Sequence, residues 1–191
     1  MISSIYKEDV YVSDYTQYSN EGGSLSAPFR GVVIDTEDKG IIPSFLLTDK
    51  NRYPFIAINF DRNPALFRRK DGTTCSHCEC VFFAHRNDNR RGWMVFLELK
   101  YCKPGNVYNS MLDGISQLKA TIHFIMNETK EFDKKRFKKY LVISTPGITP
   151  IDPFDSYYFS QDFLLTVKED TGATLVASNE AHILTPARID F

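Results

Sequence analysis

Apolar positions beyond residue 28 gather into short runs separated by turn chemistry. Gly31–Ile34, Ile41–Leu47 and Phe55–Phe60 are such runs, punctuated by Asp35–Gly40 and Asp49–Arg52, and the spacing predicts strands. Cys78–Ala84 (CECVFFA) and Trp93–Tyr101 (WMVFLELKY) have the length and the β-branched and aromatic content of buried strands. The polar link between them, HRNDNRRG, is too short for a crossover, so the two form an antiparallel hairpin with a basic tip in solvent. Ile115, Leu118, Ile122 and Ile125 then recur at helical spacing, and Ser110-Met111-Leu112-Asp113 reads as the capping box of that helix. Tyr140–Ser144 is a further apolar strand stopped by Pro146-Gly147, which completes a βαβ unit of parallel strands.

The flanks read differently. Residues 1–28 are polar, rich in Ser and Tyr, and end in Asn20-Glu21-Gly22-Gly23-Ser24, the pattern of a flexible N-terminal arm. Residues 150–160 are Pro- and Asp-punctuated loop. Phe163–Lys168 and Thr174–Ser178, around Glu169-Asp170-Thr171-Gly172, read as a C-terminal β-hairpin. The expected architecture is one α/β (α+β) domain over 29–191, with its core at about 75–145 and no internal repeat.

Composition narrows the class. With 191 residues, 42% hydrophobic and 14% aromatic, the chain can build a core of ordinary size, so wholesale disorder is excluded. No run approaches the ~18 apolar residues of a membrane span, and MISSIYKEDVYVSDY lacks the form of an export signal; a cytoplasmic location without membrane contact is expected. A net charge of −1 argues against coating nucleic acid by bulk electrostatics and leaves room for a local basic groove. Three basic clusters offer one: Arg68–Lys70, Arg86 with Arg90 and Arg91, and Lys134–Lys139.

Phosphate-cradling, dinucleotide and HExxH or GxSxG signatures are all missing. The anomaly is Glu98-Leu99-Lys100 inside an otherwise apolar strand. Period-2 geometry points Glu98 and Lys100 to one face and Leu97, Leu99 and Tyr101 to the other, and Glu79, the only charge in CECVFFA, can sit opposite Glu98. Two carboxylates beside an ammonium suit a hard divalent cation such as Mg²⁺ or Mn²⁺, and that set implies phosphodiester hydrolysis.

Glu79, then Glu98-Leu99-Lys100 on the hairpin, then a helix carrying Gln117-Leu118, resembles the core of the PD-(D/E)XK nuclease superfamily, with its restriction-endonuclease-like mixed sheet and flanking helices. The resemblance covers about residues 75–145. It implies that Glu79, Glu98 and the Leu99 backbone carbonyl hold the metal, that Lys100 is the catalytic lysine, and that Gln117 assists positioning. It further implies a nuclease acting on DNA more than RNA, as a homodimer or a subunit of a larger assembly, in bacterial defence against foreign DNA. Arg86, Arg90, Arg91 and Lys103 are the expected nucleic-acid contacts. The chain departs from the commoner pattern in having Glu at position 79, where Asp is usual, with no Pro before it.

The four cysteines, Cys75, Cys78, Cys80 and Cys102, support a rival reading. Cys75-Ser76-His77-Cys78 has C-x₂-C spacing, and Cys80 with Cys102 or His77 could complete a Zn²⁺ site, giving a non-catalytic, zinc-stabilised module that binds nucleic acid or protein. Strand alternation sets the two proposals against each other, and the plain alternative is that the cysteines are small buried hydrophobes.

Overall fold

The computed structural model describes residues 3–24, 30–69, 71–86, 91–128, 136–148 and 160–191. The chain is a mixed α/β protein of two sheets. In chain order the elements are β1 (Ser4–Tyr6), β2 (Val10–Asp14), α1 (Tyr15–Asn20), β3 (Val32–Asp35), β4 (Phe45–Thr48), β5 (Phe55–Asn59), β6 (Cys80–Ala84), β7 (Gly92–Leu99), α2 (Val107–Glu128), β8 (Phe137–Ser144), α3 (Gln161–Thr171), β9 (Ala173–Ala177), β10 (Glu180–Thr185) and β11 (Arg188–Asp190). A six-stranded sheet runs β1-β5-β6-β7-β8-β9, and a five-stranded sheet runs β11-β10-β4-β2-β3.

The hairpin and the βαβ unit form as the sequence predicts. β6 pairs antiparallel with β7 in the register Cys80↔Leu97, and β7 pairs parallel with β8 across the α2 crossover. α2 buries Val107, Met111, Ile115, Leu118, Ile122 and Ile125, a stripe at i, i+4 and i, i+3 spacing, against Met94 and Phe96 of β7 and Leu141 and Ile143 of β8. The opposite face of the large sheet turns Trp93, Val95, Leu97 and Leu99 into a second core, shared with Val10, Val12, Phe45 and Leu47 of the small sheet. The layers are therefore helices, large sheet, small sheet. Strand β7, buried along its whole length, sits at the centre. Among the described residues no helix is long and apolar enough to cross a membrane.

Three expectations need correction. Residues expected to be an arm instead supply β1, β2 and α1: β2 is flanked by β3 and β4, and Val10 and Val12 are fully buried. The Asn20–Ser24 turn follows α1, and Ser24 is the last residue described before 25–29. Phe163–Lys168 is helical, not strand. The Ser160 hydroxyl caps the start by accepting from Phe163 N at 3.1 Å, and Gly172, at φ 64°, ends the helix by donating its N–H to Lys168 O. The terminal hairpin lies further on, where β10 pairs antiparallel with β11. Finally, Ser110-Asp113 does not cap α2. The helix starts at Val107, entered through a 3-10 turn at Pro104–Asn106, because burying Val107 and Met111 fixes an earlier start than the local capping pattern suggests. The loop read at 150–160 lies outside the described residues up to 159, its last residue Ser160 serving as the cap of α3, and the basic run up to residue 135 lies outside them as well.

Candidate active site

The register carries Glu79 opposite Glu98: one step beyond Cys80↔Leu97, the Glu79 N–H donates to Leu97 O at 3.1 Å. β7 then continues its ladder with β8 through Lys100 N to Ser144 O, 2.8 Å. Glu98 and Lys100 therefore share the face that looks at α2, and Leu99 between them is buried in the core between the sheets. An ideal Cβ added to Gly114 of α2 would lie 3.2 Å from Glu98 Cγ and 3.3 Å from Lys100 Cε. Glycine is what lets the helix pass this close.

Glu98 is 0% exposed, the extreme case for a charged residue. Its Oε1 stands 2.8 Å from Lys100 Nζ, while Oε2 has no hydrogen-bond partner among the described residues. Lys100 Nζ in turn donates to Gln117 Oε1, so the helix glutamine fixes the ammonium from above. Burial pushes Glu98 up to about 7 despite the pull of Lys100. Burial and the neighbouring Glu98 carboxylate raise Glu79 well above the usual carboxylate range. Two close carboxylates with one ammonium cannot both shed their protons cheaply, so the pair titrates as a unit.

Two acids that sequence reasoning missed join this field. Asp14, at the end of β2, caps α1 by accepting from Thr16 N at 2.9 Å and Gln17 N at 3.1 Å through one oxygen, Oδ1. Asp61, just past β5, accepts from Val32 N through Oδ2 at 3.1 Å. Both act electrostatically on Glu79, and Asp14 also on Glu98. Burial above all, with Asp61 adding, raises Asp14 against the pull of its two N–H bonds and of Lys100. The only local clue was Asp14 followed by Tyr-Thr-Gln, an N-cap pattern. Its nearness to the carboxylates arises from packing one sheet on the other.

The remaining expected residues are spread out. Lys103 is exposed where the chain leaves β7, at the same end as Lys100. Arg86 and Arg91 lie at the far end of the hairpin, about 20 Å from Glu98 at ~3.3 Å per strand residue. There Arg86 Nη1 donates to Arg91 O and Arg136 Nη2 to Arg86 O. Arg90 lies outside the described residues. The cysteines are divided: Cys75 and Cys78 pack in the helix-side core and Cys80 in the core between the sheets, while Cys102 is half-buried. Burial raises the Cys78 and Cys80 thiols well above their ordinary value. No cluster of three or more His, Cys, Asp or Glu in metal-binding geometry forms among the described residues.

No family model, no curated protein and no solved structure matches the chain.

Proposed function

We propose that the protein is a metal-dependent nuclease that hydrolyses phosphodiester bonds of nucleic acid, DNA above RNA. One observation carries the reading: Glu98, fully buried, has one oxygen on Lys100 and the other with no hydrogen-bond partner among the described residues. Holding such a group costs several kcal/mol unless something compensates it. A structural ion pair would satisfy both oxygens or stay at the surface.

The donors present fit a hard cation. Glu98, Glu79 and the Leu99 carbonyl, oxygen ligands at the end of one strand pair, would hold Mg²⁺ or Mn²⁺, with Asp14 and Asp61 as further acids in the same field. Bound there, the ion would polarise a phosphoryl oxygen and lower the pKa of a water. Lys100 brings a positive charge to the site where charge develops on the phosphate, and its ammonium can position the attacking water. Gln117 holds that ammonium in one orientation, which limits the reorganisation needed during reaction. The α2 backbone at Gly114 packs close against Glu98 and Lys100. By the resemblance to the PD-(D/E)XK nucleases the protein acts as a homodimer or within a larger assembly, in defence against foreign DNA.

The test is cleavage of plasmid, linear duplex, single-stranded DNA and RNA in Mg²⁺, Mn²⁺ or EDTA, comparing wild type with Glu98→Ala. Metal-dependent cutting that disappears in the variant is expected. Cutting that survives in EDTA, or in the folded variant, would overturn the assignment.

A further inference from the structure

A second feature lies outside the carboxylate centre. A groove of about 680 Å³ runs between Arg68, Arg69, Asp71, Cys75 and Ser76 on one side and α2 on the other. The α2 wall is Ala120, His123, Phe124 and Asn127, on successive turns of the helix. Both walls adjoin the proposed active site along the chain: Ser76 precedes Glu79 by three residues, and Ala120 follows Gln117 by three. At their junction Cys78 N donates to Thr121 Oγ1 at 2.7 Å, and that hydroxyl donates to Gln117 O at 2.8 Å. From Gln117 to Asn127 the helix rises about 15 Å, enough for a short stretch of strand.

The lining combines cations with one half-buried aromatic ring, Phe124. Arg68 and Arg69 are exposed and make no ion pair among the described residues, and Arg69 Nε donates to Cys75 Sγ at 2.9 Å. Asp71 also lines the groove, its Oδ1 accepting from Thr73 N and Thr73 Oγ1, so two arginines face one carboxylate there. His123 is partnered by Asp170, which also binds Lys119. Below, the ring of Phe67 stacks on His77 at 4.5 Å between centroids and meets the half-buried Phe124 at 5.3 Å. A positive groove with an aromatic ring in its wall is the chemistry that tracks a sugar–phosphate backbone while a base stacks. Duplex nucleic acid offers no free base face to such a ring.

Resting on the nuclease reading, we infer that this groove binds a single strand of nucleic acid, Arg68 and Arg69 contacting phosphates and Phe124 a base, and feeds it to Glu79, Glu98 and Lys100. The experiment is fluorescence anisotropy in EDTA, where no cleavage interferes, with labelled oligothymidylate, oligouridylate and a DNA duplex of the same length. Wild type should bind the single strands above the duplex. Arg68→Ala with Arg69→Ala should weaken that binding about ten-fold and lower the salt slope by about 0.7 per arginine, more than Arg86→Ala with Arg91→Ala does. Arg68→Glu, at an exposed position that leaves the Arg69–Cys75 contact intact, should weaken it as well. Asn127→Lys should tighten it.

Duplex preference, no binding by wild type, or folded groove variants that bind as wild type does would each overturn the inference. Groove-dependent binding by a protein that never cuts would leave the inference standing and remove the nuclease reading. Metal-dependent cutting that ignores Arg68 and Arg69 would do the reverse.

Discussion

The two ends of the β6–β7 hairpin obey opposite physics. Toward the tip, Arg91 is exposed, and the Arg86 and Arg136 guanidinium groups donate to the backbone carbonyls of Arg91 and Arg86. At the base, Glu79 and Glu98 are brought side by side under a helix, with Lys100 against them. Charge at a solvated tip is cheap and contributes little to stability. Charge at the base is expensive, and an expensive arrangement persists only when the surrounding fold enforces it. Chemistry is therefore to be sought at the base, and the tip can modulate encounter with a polyanion.

The largest effect that could break this contrast is on turnover. Lys100→Ala is expected to abolish nearly all cleavage, by about a thousand-fold or more, with circular dichroism unchanged; a variant cutting within ten-fold of wild type would move the chemistry elsewhere. Next comes pH. Because the folded protein holds the Glu98 proton to about 7 and the unfolded chain releases it near 4.5, this group's contribution to metal-free stability is full below about pH 4.5 and is lost as pH rises through about 7. Denaturant unfolding of wild type and Glu98→Gln should therefore diverge in favour of the variant between about pH 5 and about pH 8, by something on the order of 3 kcal/mol. Mg²⁺, which favours the ionised form, should narrow that gap.

Packing at the base gives the third. Gly114→Ala adds a methyl 2.1 Å from the Ile143 Cδ1 position, so it should destabilise by about 1–3 kcal/mol in chemical denaturation although alanine favours helix, and it should lower cleavage by shifting Glu98 and Lys100. Asp14→Asn follows. Asparagine caps a helix about as well, so the melting temperature should hold while activity falls about ten-fold and Mg²⁺ dependence moves to higher concentration. Smallest is the tip: Arg86→Ala with Arg91→Ala should leave kcat unchanged and raise KM a few-fold at low salt, an effect that fades as salt screens it. A large loss of kcat there would erase the distinction between the two ends.

The base was legible in the sequence because its logic is local. Two charges in apolar strands and a link too short for a crossover placed Glu79, Glu98 and Lys100 on adjoining strands, the family resemblance added Gln117 on the following helix, and the structure brings the four together. What was illegible depends on distant partners. Val10-Tyr11-Val12 is too short to announce a strand, and it becomes one because β3 and β4 flank it. Asp14 and Asp61 reach the centre only through the stacking of one sheet on the other. α3 was misread for a different reason: Phe163, Leu164, Thr166 and Val167 mimic a strand, and the stronger signals, Ser160 before them and Gly172 after, are those of a capped helix.

The small sheet has a kinetic consequence. Its strand β4 finds its parallel partner in β10, with Thr48 bonded to His182 across 134 residues of chain. On a ribosome, β2, β3 and β4 are made long before that partner exists, so β4 keeps an open edge and pairing waits on a large loop closure. The small sheet is therefore closed late in biogenesis, when β10 pairs with β4.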